Sequence, residues 1–398
     1  MPLTPKSPGP EASWSAYANE IYAAGLLRGD VPRLPTDLTR LEELFSRRLP
    51  AGPVGYVAGG AGDASTARAN REALDRWRIV PRMLRDVAER DLSAELFGVR
   101  LPAPLALAPV GVQSVVHPDA EPASARAAAA LGVPFTTSSA SSTPMEEIAK
   151  AAGDAERWFQ LYWPKDREVA VSFLQRARAS GHSALIVTLD TAMLGWRPRD
   201  LDQACLPFLH GVGTANYFTD PAFRAGLAKP VAEDPVAAVQ HFLGMFADPS
   251  RTWDDLGFLR EHWDGPILLK GIQHPDDARR AADAGMDGVV VSNHGGRQVA
   301  GAIGAAAALP GVVSAVGDRL TVLFDSGVRS GADMAKVIAL GARGVLLGRP
   351  YVYGLALDGQ AGVDHVVRCL LAEFELTLAL SGHRAPADLT PDSLVRAD

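Results

Sequence analysis

The sequence predicts an α/β protein in which eight parallel strands close into a (β/α)8 barrel of the TIM type. Eight short apolar runs lie between residues 105 and 349, and none alternates polar with apolar residues. Strands buried on both faces, as in parallel sheets, have this pattern. All but one of the intervals between runs are 22–33 residues long, which suits one strand and one crossover helix. Eight such units favour a barrel, although spacing alone does not exclude a doubly wound open sheet.

The long interval between runs falls after the fourth predicted strand. The predicted strands are LALAP at 105–109, PFTTS at 134–138, RWFQLY at 157–162, ALIVTLD at 184–190, PILLKG at 266–271, GVVVSN at 288–293, TVLFDS at 321–326 and GVLLGR at 344–349. The insertion, at about 195–262, is rich in aromatic residues, prolines and glycines. Long structured loops are often lids or binding loops. We expect a lid, with an oligomer contact or a surface excursion as the alternatives.

Residues 36–398 are expected to form one domain, preceded by an extension at 1–35 that is partly flexible. The first 15 residues or so are rich in Pro and Ser, a composition typical of poorly ordered termini. From about 36 to 76 the pattern is helical, with breaks at LPAGPVG and AGGAGD. The barrel is therefore expected to follow an N-terminal helical extension.

The composition excludes several classes of protein and partner. The 398 residues are 47% hydrophobic and 21% charged, as in ordinary globular proteins. No apolar run approaches the ~20 residues that span a bilayer, and no basic amphipathic stretch indicates membrane binding. The formal net charge of −7 argues against a nucleic-acid partner. The N-terminus lacks a secretory signal and the two cysteines lack metal-site spacing, so we expect a cytoplasmic protein without a metal ion.

Polar or glycine residues that suit a bound ligand follow every predicted strand. In a barrel these positions meet at one face, which carries the active site. They are Pro109 with Gly111, Ser138, Gln160 with Tyr162, Thr188 with Asp190, Lys270, Ser292 with His294, the stretch 325–329, and Gly348 with Arg349. One such residue is weak support, because loops commonly begin with polar residues. Their presence at all eight ends predicts a site.

The last two strand ends have the features of a phosphate site. DSGVRSG and LLGRPYVYG each place glycines and an arginine directly after a strand. Glycines let backbone N–H groups approach a phosphate, and Arg329 or Arg349 can form a bidentate pair with its oxygens. The alternative is two glycine-rich turns with solvated arginines. Barrels often bind phosphate at these two loops, so a phosphorylated ligand is expected.

Lys270 ends the fifth strand, directly after the apolar run ILL. A lysine at this place is either a Schiff-base nucleophile or a cation that faces an electron-rich group of a cofactor. A lysine that reaches to the solvent at the rim is less consistent with so buried a strand. The neighbouring phosphate site favours a phosphorylated cofactor over a sugar phosphate.

The stretch SNHGGRQ at 292–298 is the strongest indication of chemistry in the chain. His294 offers a base with an ordinary pKa of ~6.5, suited to proton removal at neutral pH. Arg297 offers a bidentate donor for a carboxylate, and Arg197 in the insertion is a candidate partner. Asp190 can orient the imidazole and stabilise its protonated form. A buried structural histidine is the alternative, and the adjacent Asn, Gly-Gly and Arg disfavour it. The pattern predicts reaction at the α-carbon of a small carboxylic acid.

These residues resemble the family of FMN-dependent enzymes that oxidise L-2-hydroxy acids, with SNHGGRQ and DSGVR as the specific motifs. The resemblance covers about residues 56–349. It implies that FMN lies across the barrel mouth beside Pro109, Val110 and Gly111. Hydrogen bonds to its ring and ribityl chain are implied for Ser138, Gln160, Thr188 and Ser292, and Lys270 would face the N1–C2=O edge. The residues implied for the ribityl end and phosphate are Asp325, Ser326, Gly327, Val328, Arg329, Gly348 and Arg349.

The same resemblance assigns the substrate and the catalytic residues. Tyr56, Tyr162, Arg197 and Arg297 would bind the substrate. His294 would be the base, paired with Asp190, and Tyr162 would take part in catalysis. A small 2-hydroxy acid and O₂ are the expected partners, in a homotetramer or a homo-octamer.

Further stretches resemble the lactate 2-monooxygenases of that family: YVAGGAGD, PRML, ERDLS, LGWRPRDL, NYFTDPAF, LKGIQHPDDARR and GRPYVYG. Two positions depart from the common oxidase pattern. Gly111 stands where many members have Ala, which is expected to leave room for one more methyl group near the ring. Val299 and Ala300 stand where many have Leu-Asp.

The expected activity is oxidation of L-lactate followed by decarboxylation of bound pyruvate to acetate. The nearest alternative is an oxidase that releases pyruvate and H₂O₂. Which of them occurs depends on how fast pyruvate leaves, which sequence does not determine. A Schiff-base aldolase using Lys270 and a non-catalytic scaffold are the alternatives from other classes.

Overall fold

All eight predicted strands form, and they pair in parallel into a closed barrel. The computed structural model describes residues 13–397. The strands are β1 (Leu105–Leu107), β2 (Phe135–Ser138), β3 (Arg157–Leu161), β4 (Ala184–Thr188), β5 (Ile267–Ile272), β6 (Gly288–Val291), β7 (Thr321–Phe324) and β8 (Gly344–Leu347). β8 closes the barrel on β1, with Val345 opposite Leu105. The predicted barrel is confirmed, and the open sheet is excluded.

Most strands end earlier than the apolar runs that predict them. β4 stops at Thr188, so Asp190 lies in the loop after the strand. Except for Ala108, Pro109 and Leu189, the residues beyond these strand ends are polar or glycine, and they lie at the mouth of the barrel. Because these strands end early, the site residues lie on loops that the rigid barrel holds in place, and binding residues are common on such loops.

A helix follows each strand and covers the outside of the barrel. These helices are Ala120–Leu131, Met145–Ala152, Arg167–Ala179, Leu256–His262, Pro275–Asp283, Ala305–Val316, Gly331–Ala339 and Arg349–Leu380. The third shows why such segments are helical: Asp166 accepts hydrogen bonds from the N–H groups of Glu168 and Val169, and Phe173 and Ala177 repeat on its buried face.

The core has an inner and an outer part. Trp158, Ile186, Leu268 and Leu346 belong to the inner group. A hairpin of strands Ala94–Leu96 and Val99–Leu101 contributes Leu96 and Leu101 to the same group. The neighbouring strand residues pack outward against the helices, so the strands are buried on both faces, as their composition predicts.

The N-terminal extension is helical over part of its length. Its helix Ala16–Arg28 contacts the C-terminal helix, where the Tyr17 hydroxyl lies 2.7 Å from Nδ1 of His365. Poor order is predicted for about the first 15 residues, and most of them lie outside the described residues, which begin at Ser13. Three more helices follow, Leu41–Arg48, Ala51–Ala58 and Ser65–Asp75. The predicted break at LPAGPVG therefore occupies only residues 49–50, whereas the break at AGGAGD is confirmed.

The long insertion after β4 is folded and docked onto the barrel. It contains the short helices Pro198–Leu201, Ala215–Phe218 and Pro221–Ala225 and the longer helix Pro235–Met245. The Asn216 amide donates to the carbonyl oxygens of Ser138 and Ser139. These contacts exclude a loose surface excursion. A strand at Trp77–Ile79 pairs with Leu394–Arg396 near the end of the chain.

In the part of the chain that the structure describes, no helix has the length and apolar character needed to cross a bilayer.

Candidate active site

A cavity opens at the carboxyl ends of the barrel strands, and we call it the mouth cavity. Most of the predicted site residues line it: Tyr56, Pro109, Val110, Gly111, Tyr162, Arg197, Lys270, His294, Arg297, Asp325, Ser326, Gly327, Val328, Arg329, Gly348 and Arg349. The structure thus brings together residues from both ends of the chain and from the insertion.

Five predicted site residues do not line the mouth cavity: the buried Ser138, Gln160, Thr188 and Ser292, and the partly buried Asp190. The Ser138 hydroxyl donates to Gln160 Oε1 at 2.9 Å, and the Gln160 amide donates to the Thr188 hydroxyl at 2.8 Å. Lys270 donates to the Ser292 hydroxyl at 3.0 Å. Ser138, Gln160 and Thr188 thus form one buried chain of hydrogen bonds, and Ser292 contacts Lys270 from the neighbouring strand.

His294 and Asp190 form the central pair of the site. Nδ1 of His294 lies 2.8 Å from Oδ1 of Asp190, and Nε2 lies 3.5 Å from the Tyr162 hydroxyl. The contact at Nδ1 with a carboxylate places the proton of the neutral ring on Nδ1. Nε2 is then the acceptor nitrogen, with the Tyr162 hydroxyl beside it, and His294 lines the mouth cavity. This is the geometry of a general base oriented by a carboxylate.

Charges around the pair keep both partners in the states that a base requires. Burial lowers the pKa of His294 from its ordinary value, and Asp190 partly offsets that effect. Burial opposes ionisation of Asp190, but its contact with His294 and the charge of Lys270 outweigh it and hold the pKa of that carboxyl below its ordinary range. At neutral pH the pair is therefore a neutral imidazole beside a carboxylate.

The loop that carries His294 is held in an uncommon conformation. His294 has a φ of 57°, in the left-handed region that few non-glycine residues adopt. The Ser326 hydroxyl accepts hydrogen bonds from the N–H groups of Asn293 and Gly295, which ties this loop to the loop after β7. Asn293 also exchanges two hydrogen bonds with Asn70. Sequence reasoning missed Asn70. The signal that could have indicated it is a polar residue on the buried face of a predicted helix.

Four arginines line the mouth cavity without a carboxylate partner. Within residues 13–397, the ion pairs at the mouth involve Lys270 and His294, and none involves Arg197, Arg297 or the arginines at 329 and 349. Burial, with the charges of Arg197 and Arg349, lowers the pKa of Arg297 to about 9. Buried cations without a counter-charge are costly, and an anionic ligand would offset the cost.

Arg197 and Arg297 form one cationic group near His294. The guanidinium of Arg297 lies over the Tyr56 ring, 5.3 Å from its centroid. Nε of Arg197 donates to the backbone oxygen of Arg297 at 3.1 Å, and its side chain also contacts Gln298. The insertion is therefore fastened to the SNHGGRQ loop through Arg197. Two fixed guanidinium groups beside a base suit a small carboxylate.

The other end of the mouth cavity has the predicted glycine-rich loops. Gly327 has a φ of 108°, and a Cβ there would lie 3.1 Å from the Cβ of Asn70. Arg349 donates to the backbone oxygens of Val57, Gly59 and Gly295. Among the described residues, the Arg329 guanidinium donates only to the neighbouring carbonyl of Val328. The geometry therefore favours Arg329 as the phosphate ligand and Arg349 as the residue that joins three loops.

The structure corrects the expectation for Gly111. A Cβ at this position would lie 2.3 Å from the backbone oxygen of Ala140, far inside van der Waals contact. The same oxygen accepts a hydrogen bond from Val112 at 3.0 Å, so it is held close. Gly111 leaves no room for an extra methyl group; it allows two backbone segments to approach each other. Val299 and Ala300, the second departure, do not line the mouth cavity.

Sequence reasoning also missed the apolar wall of the mouth cavity. Its members are Ala140, Leu194, Phe208 and Phe246. The last three come from the insertion, which the sequence predicts to be a lid without indicating which residues face inward. Phe208 and Phe246 are 5% and 9% exposed, and their ring centroids are 5.4 Å apart.

Comparison with known proteins agrees with this geometry. The model of the family described as FMN-dependent dehydrogenase matches residues 45–396. The chain belongs to the FMN-dependent dehydrogenase family. It is 46% identical over 390 residues to the FMN-dependent alpha-hydroxy acid dehydrogenase qulF of Penicillium citrinum, covering 97% of each chain. The predicted family and the FMN cofactor are confirmed, and the protein is an oxidoreductase.

Two further relatives show the range of this family. The chain is 43% identical over 364 residues to an L-lactate oxidase of Lysinibacillus sphaericus (strain C3-41), covering 92% of this chain and 94% of that relative. The crystal structure of a mandelate oxidase superposes with a TM-score of 0.81 at 38% identity, covering 92% of this chain and 99% of the other. Proteins similar to this chain are thus named for substrates with side chains of different size.

Proposed function

We propose that this FMN-dependent dehydrogenase oxidises L-lactate with O₂ and yields acetate, CO₂ and water, the reaction of a lactate 2-monooxygenase. Family membership supports the coarser activity, FMN-dependent oxidation of a 2-hydroxy acid. The observation that carries the proposal is the placement of a largely buried base beside two arginines without carboxylate partners, under an apolar wall. This set fits one removable proton, one carboxylate and a short apolar side chain.

The residues that line the mouth cavity match the chemistry of FMN. Arg329, with the backbone of Gly327 and Gly348 at the start of the C-terminal helix, would hold the phosphate. Pro109, Val110 and Gly111 would lie beside the ring. Lys270 would face the electron-rich edge of the ring as a cation. Its amine stays protonated because Asp325 and Asp190 outweigh burial and raise the pKa of Lys270. Bound FMN would take two electrons from the hydroxy acid and pass them to O₂.

The remaining residues would bind the hydroxy acid and move its proton. Arg297 and Arg197 would clamp the carboxylate, with Tyr56 holding the Arg297 guanidinium in place. Nε2 of His294 would receive the proton, and Asp190 would stabilise the imidazolium that results. The Tyr162 hydroxyl, 3.5 Å from Nε2, would orient the substrate oxygen beside the base.

Retention of pyruvate would decide between a monooxygenase and an oxidase. Pyruvate and H₂O₂ react to give acetate, CO₂ and water, so the oxygenase outcome requires that both remain enclosed. The insertion supports retention because it supplies Arg197 to the carboxylate clamp and Phe208 and Phe246 to the apolar wall. Its closure over the site, as a lid at about 195–262, is part of the proposal.

The ratio of H₂O₂ formed to O₂ consumed tests the proposal, with acetate and pyruvate assayed in parallel on the purified yellow protein and L-lactate. A ratio near zero with acetate formed supports the monooxygenase. A ratio near one with free pyruvate would mean an oxidase, the outcome that the name of the Lysinibacillus relative favours. The absence of any lactate oxidation would overturn the substrate assignment.

The Schiff-base aldolase is disfavoured by the surroundings of Lys270. Its amine lies 3.4 Å from Asp325 and 3.8 Å from Asp190, which keep it protonated, whereas a Schiff base requires a neutral amine. The homotetramer or homo-octamer and the cytoplasmic location stay predictions. Size-exclusion chromatography with light scattering measures the first.

A further inference from the structure

A second cavity lies directly behind the apolar wall of the mouth cavity. It has a volume of about 500 Å³. Trp163, Leu256 and Ile272, each less than 9% exposed, contribute apolar surface to it, and Ala247 also lines it. The two cavities share Tyr162, Thr191 and Phe246. Only a thin wall of side chains therefore separates them.

Phe246 is the apolar part of that wall. Its ring centroid lies 5.1 Å from that of Tyr162, 5.4 Å from that of Phe208 and 5.0 Å from that of Phe242. The Tyr162 hydroxyl also contacts His294, and the Thr191 hydroxyl contacts both Asp190 and His294. Phe246 has no polar contact at the base. It is the member of the wall that can be shortened without removing a hydrogen bond to the catalytic pair.

The polarity of the mouth cavity decides which way a substrate side chain faces. The carboxylate belongs at Arg197 and Arg297, and the proton to be removed belongs at His294. The face that remains for the side chain is the apolar one, formed by Leu194, Phe208 and Phe246. A methyl group fits against this face, whereas a longer or aromatic side chain meets the Phe246 ring.

We propose that Phe246 sets the upper size of the substrate side chain, and that the second cavity accepts larger side chains once Phe246 is shortened. The ligand class is 2-hydroxy acids with extended alkyl or aryl side chains. The inference rests on the proposed function, because it places the carboxylate and the proton as proposed there. It makes Phe246 a specificity residue, distinct from those that bind carboxylate or remove the proton.

The size of the effect follows from the apolar surface that a longer side chain would bury. Each methylene group that moves from water into the second cavity favours binding by about fourfold. Three more methylene groups, as in 2-hydroxyhexanoate compared with lactate, give at most about 60-fold in the ratio of their kcat/KM values. We expect an increase of 10-fold or more, since the cavity also has polar residues in its lining.

The test compares Phe246→Ala with Phe242→Ala, a matched control in the same aromatic cluster. Phe242 is 0% exposed and lines neither cavity. The kcat/KM values for L-lactate, 2-hydroxybutyrate, 2-hydroxyhexanoate and mandelate are measured with each FMN-loaded variant. The dissociation constants of pyruvate and 2-oxohexanoate, which do not reduce the flavin, are measured in parallel from its absorbance. Phe246→Leu replaces Phe246→Ala if the alanine variant does not fold.

A third variant shows where the longer side chain goes. Ala247→Trp fills the second cavity without lining the mouth cavity, so alone it leaves lactate turnover unchanged. Combined with Phe246→Ala, it is expected to cancel the gain for 2-hydroxyhexanoate and 2-oxohexanoate.

Three outcomes separate this inference from the proposed function. A gain in Phe246→Ala alone, cancelled by Ala247→Trp, supports the inference. Equal profiles in Phe246→Ala and Phe242→Ala, with a wild type that oxidises lactate, overturn the inference and leave the proposed function intact. A wild type that oxidises none of the four acids overturns the proposed function itself.

Discussion

Replacing Asp190 by Asn tests whether the pair with His294 is the base of the reaction. The substitution keeps the shape of the side chain but removes the charge that faces Nδ1 at 2.8 Å. Taking the charge centres as ~4 Å apart and an effective dielectric constant of ~20, the carboxylate stabilises the imidazolium by about 4 kcal/mol. Because each ~1.4 kcal/mol changes a rate tenfold, flavin reduction by L-lactate is expected to slow about a thousandfold.

The same substitution has an expected pH dependence. Burial lowers the pKa of His294 below the ordinary histidine value of ~6.5. The wild-type base therefore stays neutral, and kcat/KM stays high, as the pH falls past ~6.5. Asp190 raises the pKa of His294. Its loss should therefore move the acid limb of the profile to still lower pH while the maximum rate falls.

Anaerobic stopped-flow absorbance of the bound flavin measures both effects. Asp277→Asn is the matched control, because this carboxylate lines the same second cavity as Asp190 but, unlike Asp190, makes no hydrogen bond to His294. An Asp190→Asn variant that reduces its flavin at the wild-type rate, with an unmoved acid limb, would refute the assignment of the base pair.

Three further substitutions test other parts of the site. His294→Ala should bind FMN and stay yellow but fail to bleach with L-lactate, because only proton removal is lost; bleaching at the wild-type rate would contradict this. Arg297→Lys should raise KM for lactate at least 10-fold and leave FMN affinity unchanged, since lysine cannot form the planar fork; equal losses of both would mean that Arg297 serves the cofactor. Gly111→Ala should destabilise the FMN-loaded protein by about 1–3 kcal/mol, because its Cβ would overlap the Ala140 oxygen, and thermal unfolding measures the loss. An unchanged melting temperature would show that the backbone yields easily there.

Much of the fold could be predicted because buried parallel strands have a local pattern. The runs ALIV at 184–187 in β4 and GVVV at β6 are apolar throughout, since both of their faces pack against other residues. SNHGGRQ could be singled out as a candidate site for the same reason, because His294, its glycines and Arg297 are consecutive in the chain. The boundaries were less accurate, as at Asp190, since the end of a strand depends on where its neighbours stop pairing.

The sequence by itself predicted the eight strands, the two glycine-rich loops and the types of residue at the mouth, because each follows from local composition and from the rule that strand ends meet at one face. Only the tertiary structure decided that Asp190 orients His294 and that Arg349 is occupied by three backbone carbonyls. It also decided that Gly111 has no free space and that Phe246 separates two cavities. These contacts join residues far apart in the chain, and closure of the barrel and docking of the insertion set their distances.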